Sequence, residues 1–262
     1  MSRAAVGELV REWRGRRRRS QMDLALDIGV SPRHLSFVET GRSRPSPQLV
    51  IAIAEELEVP LRERNTLLIA AGYAPRYSQR GLDEPEMAHV RASIQRMLDA
   101  HDPYPGVVID RQWNVVLGNR SAGALTAGLP AHVLGPPLNV FRVSLHPDGL
   151  AGRTLNFAEW AAYLLGQLRR SVVLTGDRAL AALEAEVRAY PNVAALEKGM
   201  GRDGWSEAPV LVPFRLASGA VELSLFTTIT TFGTPQDVTL DELAIELFFP
   251  ADEATEALLR RL

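Results

Sequence analysis

Between residues 20 and 47 the chain carries a residue that starts or stops a helix at least every ten positions. Serine is favoured at a helix N-terminus, proline is tolerated at the first helical position, and glycine adopts the left-handed conformation that ends a helix. The intervals that remain predict two short helices, over residues 20–29 and 31–41, joined by a tight turn. Helices this short are stable only when their apolar sides are buried against neighbouring elements.

Apolar residues recur at helical spacing on both sides of this helix pair. Upstream, one series predicts a first helix that runs toward Arg19; downstream, two series predict a fourth helix after Ser46 and Pro47 and a fifth that ends at Gly72. The series are Val6, Leu9, Val10 and Trp13; Leu49, Val50, Ile53 and Leu57; and Leu61, Leu67, Leu68 and Ala71. Residues 1–72 therefore predict an all-α domain of five helices, with a helix-turn-helix at its centre.

The sequence changes character after residue 72. Residues 73–87 contain prolines and a glycine with little periodicity, which is typical of an exposed linker, and residues 88–262 combine helical and alternating segments. We predict strands over 107–109, 113–117, 210–216, 221–229 and 245–249, and helices over 86–100, 119–125, 156–172, 177–190 and 191–198. This order is expected of an α+β PAS-like domain with an antiparallel sheet.

The lack of cysteine and of a long apolar run indicates the cellular compartment in which the protein is expected. The chain has no cysteine, which excludes disulfides, thiolate zinc sites and cysteine nucleophiles. Its N-terminus becomes charged at once, and no apolar run approaches the ~18 residues of a membrane span. We expect a cytoplasmic protein without a membrane partner.

Charge is divided unevenly along the chain. Residues 1–80 hold 14 Arg and 9 Asp plus Glu, a balance of +5, whereas the remainder holds 15 basic and 22 acidic residues, a balance of −7. This division favours a polyanion as the partner of the first part. A solvated arginine-rich helix without a partner is the alternative that charge alone leaves open.

The run SQMDLALDIGVSPRHLSFVETGRSRPS resembles the Xre and phage-repressor class of helix-turn-helix proteins in its helix lengths, its Gly-Val-Ser turn and its basic Pro-Ser loop. The resemblance implies double-stranded DNA as the partner. It implies a phosphate contact for Gln21, base-edge reading for the exposed side of the second helix, backbone contacts for the following loop, and one structural ion pair. These residues are Arg33, His34, Ser36 and Phe37 for the helix, Thr40, Arg42 and Arg44 for the loop, and Arg14 with Glu39 for the pair. Arg19 departs from the class, which usually has an apolar residue there, so its stem should lie along the core edge with the guanidinium in water.

Four later stretches, YPGVVIDRQWNVVLGNRSA, NVFRVSLHPDGL, NFAEWAAYLL and AIELFFPADEAT, resemble the ligand-binding domain of the MmyB-like transcription regulators. The resemblance implies a PAS-like pocket for a small apolar molecule such as a fatty acid, and no other cofactor. The candidate ligand-binding residues are Trp113, Asn119, Phe141, His146, Trp160, Leu164 and Phe226. Each of them has an alternative explanation as ordinary core.

Catalytic and metal-binding patterns are not found. None of the five histidines lies three or four positions from another, and the chain has no nucleophile elbow, phosphate-binding glycine loop or dinucleotide fingerprint. We therefore predict no metal site and no catalytic residue. His146 and Asp148 could suggest an acid–base pair, but Pro147 between them favours a loop corner.

Together these features predict a dimeric transcription regulator. We expect its N-terminal helices to read a roughly palindromic operator, and its C-terminal domain to bind an apolar effector that shifts the spacing of the two recognition helices. Two alternatives stay open. The helix-turn-helix could dock a protein partner, or the chain could be an enzyme with a DNA-binding autoregulatory domain.

Overall fold

The structure, a computed structural model, describes residues 3–199, 211–219 and 221–261. Val210, the first residue of a predicted strand, lies outside these ranges. The chain forms two compact units, Met1–Glu84 with Phe232–Asp241, and Pro85–Thr231 with Glu242–Leu262. The helical unit thus takes in Phe232–Asp241, a segment that the sequence pattern assigns to the C-terminal domain.

Five helices form the N-terminal part of the first unit, as predicted: α1 Arg3–Arg16, α2 Gln21–Asp27, α3 Pro32–Glu39, α4 Pro47–Glu56 and α5 Leu61–Ala70. Serine residues cap three of them, because the hydroxyls of Ser20, Ser31 and Ser46 each accept a hydrogen bond from a backbone N–H in the first turn. Gly29 and Gly41 adopt φ of 71° and 72°, the left-handed conformation that the turns after α2 and α3 require.

Most of the apolar residues that the helical spacing singles out lie in the core of the helical unit, together with Leu24 of α2 and Leu35 of α3. Fully or almost fully buried side chains include Val6, Val10, Trp13, Leu24, Leu35, Ile53, Leu57, Leu67 and Leu68. Arg19 is partly exposed, and its guanidinium forms ion pairs with Asp27 and, at 3.3 Å, Glu56. The guanidinium therefore pairs with surface carboxylates at the edge of the unit.

The segment from 232 to 241 completes the helical unit. The backbone N–H of Val238 donates to the carbonyl of Ser78 at 2.8 Å, and the Ser78 hydroxyl donates to Asp237 Oδ2 at 2.9 Å. Helix α5 begins after Pro60, which supplies no side-chain cap, and Asp241 Oδ2 accepts a hydrogen bond from the N–H of Leu61 at 2.9 Å. A distant carboxylate thus caps α5.

The second unit is an α+β domain around a five-stranded antiparallel sheet, which confirms the predicted fold class. The strands are β1 Gly106–Ile109, β2 Val115–Gly118, β3 Phe214–Ser218, β4 Val221–Thr231 and β5 Ala244–Pro250, in the order β2-β1-β5-β4-β3. Its helices are α6 Ala88–His101, α7 Arg120–Thr126, α8 Ala131–Leu134, α9 Val140–Leu145, α10 Phe157–Thr175, α11 Arg178–Arg188, α12 Pro191–Gly199 and α14 Glu253–Leu259. Helix α13 Val238–Glu242 lies between β4 and β5 in the chain, and all but its last residue belong to the helical unit.

The two faces of the sheet follow from strand register. Val107 of β1 pairs with Glu246 of β5, and Phe226 of β4 pairs with Phe249 of β5. Because successive side chains point to opposite faces, Glu246 and Phe248 share one face and Phe249 lies on the other. The first face packs on the largest apolar cluster, which includes Trp160, Leu164 and Leu168 of α10 and Phe214 and Leu216 of β3.

Two strands are shorter at their N-terminal ends than the alternation predicts. Strand β2 begins at Val115 because Trp113 has a φ of 64°, a turn conformation that a strand residue does not adopt. Strand β3 begins at Phe214, directly after Pro213, which has no N–H to donate to a neighbouring strand.

Candidate functional site

Helix α3 presents a basic and polar side because its apolar side is buried. Its first turn is fixed by Ser31, whose Oγ accepts a hydrogen bond from the N–H of His34 at 3.1 Å. Leu35 and Val38 are fully buried, whereas Arg33 is exposed. The other residues predicted to read base edges, which are His34, Ser36 and Phe37, are each partly exposed. The predicted reading side is thus a surface of the helical unit.

Phe37 lies against two arginines. Arg33 Cζ is 5.4 Å and Arg42 Cζ is 5.8 Å from the centre of the Phe37 ring. These are cation–π distances, which orient a guanidinium without using its N–H donors. The oriented donors suit the acceptor pair of a guanine or the oxygens of a phosphate, and the ring suits a thymine methyl.

The predicted ion pair forms the centre of a network behind α3. Arg14 donates from Nε and Nη2 to the two carboxylate oxygens of Glu39, at 2.8 and 3.1 Å, and Glu39 is 3% exposed. Gln21 Nε2 donates to Glu39 Oε2 at 2.9 Å, so one amide hydrogen of the predicted phosphate contact is used inside the unit. The hydrogen bond to Glu39 raises the pKa of Arg14 above its ordinary value, and burial of the guanidinium offsets part of this rise. Glu39 therefore links α1, α2 and the end of α3.

The residues that were predicted to contact the DNA backbone around the loop after α3 make different hydrogen bonds within the helical unit. Arg44 donates from Nε to the Ala71 carbonyl at 2.9 Å and from Nη2 to the Gly72 carbonyl at 3.0 Å, and its guanidinium stacks on Tyr73. These bonds satisfy carbonyls at the C-terminus of α5. Arg44 thus has a structural role that the sequence pattern missed, because its partners lie 27 and 28 positions away. Thr40 donates its hydroxyl to the Ser36 carbonyl at 2.7 Å.

The second unit has a cavity of about 290 Å³, partly open to solvent, between the sheet and its helices. Its walls come from β1, β2, α7, α9, α10, β3 and β5 and are mostly aliphatic or aromatic. They include Pro105, Val107, Val115, Leu125, Leu138, Val140, Val143, Leu150, Phe214 and Phe248. Of the seven residues predicted to line a pocket, Asn119 and Trp160 lie on this wall.

Asn119 holds the wall in place. Its Oδ1 accepts hydrogen bonds from the N–H groups of Gly106 and Ala122, both at 3.0 Å. Its Nδ2 donates to the carbonyls of Leu98, at 3.1 Å, and Tyr104, at 2.8 Å. An amide offers two donors and two acceptor lone pairs, so the backbone uses the full hydrogen-bonding capacity of this side chain. Asn119 caps α7 and contacts the cavity without a free polar group.

Three of the predicted pocket residues are core residues beside the cavity. Phe141 is fully buried, and the ring of Trp113 packs on it with centroids 4.8 Å apart. Leu164 is 2% exposed in the apolar cluster around α10. They support the wall from behind and are not among the described residues that line the cavity.

The other two predicted pocket residues lie elsewhere. Phe226 is on the opposite face of the sheet, where its ring stacks on Phe249 at 5.4 Å. His146 follows α9 and packs edge-on against Tyr190 at 4.9 Å. Phe226 is out of phase with Leu223 and Leu225, which are buried on the core side of β4, and its pairing with Phe249 puts it on the other face.

Among the described residues that line the cavity, Glu246 is the titratable one, and the sequence pattern missed it. It lies on β5, the central strand, is 4% exposed, and accepts a hydrogen bond from the Thr227 side chain through one carboxylate oxygen. Its Oε2 has no hydrogen-bond partner among the described residues, and neither has Nε1 of Trp160. Burial raises the pKa of Glu246 to about 7. A carboxyl inside the apolar run AIELFF was the available signal.

His132, His146 and Asp148 form a group that could hold a metal ion. One ligand atom from each lies within 4.8 Å of the others, and His132 Nε2 is 3.1 Å from Asp148 Oδ2. Two imidazoles and a carboxylate suit a divalent transition metal. A search for histidines at helical spacing missed this group, because its members come from α8 and from the loop after α9. None of them lines the cavity in the part of the chain that the structure describes.

Comparison with known families gives two matches. Residues 90–262 match the family model described as MmyB-like transcription regulator ligand binding domain, and residues 10–64 match the model described as Helix-turn-helix. No curated protein matches the chain. Within the described ranges, no helix has the length and apolar character needed to cross a membrane.

Proposed function

Because the chain belongs to the MmyB-like transcription regulators, we propose that its helical unit reads an operator in double-stranded DNA and that its α+β unit binds a small apolar effector. The observation that carries this proposal is the pairing of two features in one chain. One is a helix whose basic side faces outward over a buried apolar side, and the other is a cavity with largely apolar walls.

The proposed DNA contacts divide into two kinds. Arg33, with Phe37 beside it, is placed at the start of α3, where a recognition helix meets base edges in the major groove. Arg42 lies in the loop after α3 and is exposed, so it would contact the phosphate backbone of the DNA. Such a contact sets affinity and salt dependence and leaves base preference unchanged. Arg44 would add to the backbone contacts only with the donors that the end of α5 does not use.

The effector is proposed to be compact and largely apolar. A cavity of about 290 Å³ is at the lower end of the ~300–1,000 Å³ that ligand pockets occupy. A fatty acid, which the sequence resemblance implies, belongs to this class if its chain is short. Asn119 would act by holding the wall, and Trp160 by contact with the ligand.

The proposed regulation is a shift between two arrangements of a homodimer on a roughly palindromic operator. The effector changes DNA binding only if it binds one arrangement more tightly than the other, since equal affinity shifts nothing. We place the protein in the cytoplasm and assign it no catalytic role. Docking of a protein partner by the helix-turn-helix is the competing function.

The test begins with selection of an operator from a random duplex pool by repeated capture on the full chain. Fluorescence anisotropy then measures affinity for the selected duplex between 50 and 200 mM salt. DNA reading predicts a selected consensus and a steep loss of affinity with salt. Failure to retain any duplex at 50 mM salt would support the protein-docking function.

A further inference from the structure

The described side chains that line the cavity include one acid and no base. Glu246 is the only titratable residue among the described residues that line it, and the rest of the wall offers no basic side chain. Within the wall, the other polar groups are the Asn119 amide, which the backbone uses in full, the hydroxyls of Thr126 and Ser144, and the neutral indole N–H of Trp160. A ligand that enters this cavity therefore meets one acidic group and no cation.

The Glu246 carboxyl is incompletely satisfied. Thr227 bonds one oxygen, whereas Oε2 is buried and has no partner among the described residues. A buried acceptor without a partner is costly, and one that belongs to an ionisable group is more so. Oε2 is covered by the protein, so a ligand reaches it when the Glu246 side chain turns toward the cavity that it lines. A charged hydrogen-bond donor then gains most, because charge-assisted bonds are the strong ones.

The walls around this carboxyl are also suited to a cation. Trp160 and Phe214 stack with ring centroids 4.9 Å apart, and Phe248 lies on the same face of the sheet as Glu246. Aromatic faces attract ammonium groups through their quadrupoles. A ligand carboxylate would instead bring a second negative charge to an apolar site. The neutral indole N–H of Trp160 would offset that repulsion only in part.

We propose that the cavity binds a small apolar amine, whose protonated nitrogen donates to Glu246 while its alkyl or aryl part fills the space between Trp160, Phe214 and Phe248. The inference rests on the proposed effector function and narrows its ligand class. It replaces the fatty acid with an amine of similar apolar size. An alcohol, which brings a neutral donor, binds more weakly than the amine.

The pH dependence of binding has a defined sign. An alkylamine with a lysine-like pKa of roughly 10 stays protonated at pH 6 and at pH 8. With a pKa of about 7, Glu246 is mostly ionised at pH 8 and mostly neutral at pH 6. Amine binding is therefore expected to be about tenfold tighter at pH 8 than at pH 6. A carboxylic acid shows the opposite trend, because both carboxylates are charged at pH 8.

The experiment compares octylamine, octanol and octanoic acid, which share one chain length and differ in head group. Isothermal titration calorimetry with the full chain at pH 6 and pH 8 measures each affinity. The proposal predicts the order octylamine, octanol, octanoic acid at pH 8. Glu246→Gln is expected to weaken octylamine binding at pH 8 at least tenfold and to remove its pH dependence, because the amide cannot ionise.

Two control variants test whether the compounds bind in the cavity and whether the loss of octylamine affinity is specific to Glu246. Glu222→Gln changes an exposed glutamate on β4 that does not line the cavity, and it should leave all three affinities unchanged. Ala122→Phe places a ring in the cavity wall and should abolish binding of all three compounds. If Glu246→Gln does not fold, the pH comparison on the unmodified chain still tests the proposal.

Different results would contradict the amine ligand and the apolar effector site. Octanoic acid binding more tightly than octylamine, or octylamine binding equally at both pH values, would overturn the amine and leave the apolar effector site standing. Binding of none of the three compounds would overturn the effector site and the inference together.

Discussion

Removal of the Glu39 carboxylate is expected to destabilise the helical unit more than any other single charge removal in it. Glu39→Ala leaves the Arg14 guanidinium without its two-point partner and Gln21 without its acceptor. Breaking a buried ion pair from one side costs about 3–5 kcal/mol. Arg14 keeps its bond to the Arg19 carbonyl and its side chain is 18% exposed, so we expect the lower end, about 3 kcal/mol.

Hydrogen exchange read by mass spectrometry measures this loss separately in each unit. A loss of about 3 kcal/mol speeds exchange of the most protected amides in α1 and α3 by roughly a hundredfold, while peptides of the sheet stay unchanged. Glu12→Ala is the matched control, because it removes a glutamate from an exposed pair with Arg16 on α1. That pair is worth about 0.3–0.5 kcal/mol. Equal exchange in the two variants would refute the structural role of the Glu39 network.

Four further outcomes follow. Arg33→Ala should cost about 1–3 kcal/mol on the operator and relax one base position, whereas Arg42→Ala should weaken all duplexes alike, both read by anisotropy on variant sites. Arg44→Ala should also lower the melting temperature, because it uncovers carbonyls at the end of α5. Ser31→Ala should cost about 1 kcal/mol of stability in urea unfolding, through loss of the α3 cap. Because burial raises the Glu246 pKa from 4.5 to about 7, its protonation stabilises the fold fully below pH 4.5, and this contribution is lost as pH rises to 7. Glu246→Gln should therefore remove about 3 kcal/mol of pH-dependent stability, seen as a flatter melting temperature from pH 5 to 8.

The helices of the first unit were predictable because the residues that begin and end them act within one turn of the chain. Ser31 and Gly41 act on the backbone within one turn, so the residues themselves define where α3 begins and ends. The burial of Leu35 and Val38 then follows from helical spacing. Asp241 could not be foreseen as the cap of α5, because its position depends on how the segment after β4 folds back.

The cavity was less predictable because it depends on register between distant strands. Phe248 and Phe249 are adjacent in one apolar run, and the pairing of β5 with β4 decides that Phe248 faces the cavity while Phe249 stacks on Phe226 on the other face. Asn119 lies at the wall, and its four hydrogen bonds to the backbone reach elements on either side of it, which spacing along the sequence does not reveal. Glu246 was hidden within an apolar run, where a carboxyl has no periodic partner to mark it.

The measurement that tests the central claim most directly is the affinity of the full chain for its selected operator, with and without octylamine, at one fixed salt concentration. We predict a change of at least fivefold in the dissociation constant when octylamine is present at saturation, which corresponds to about 1 kcal/mol of coupling. We also predict that Ala122→Phe abolishes the change while the operator is still bound. Operator affinity that is identical with and without saturating octylamine would contradict a cavity that regulates DNA binding.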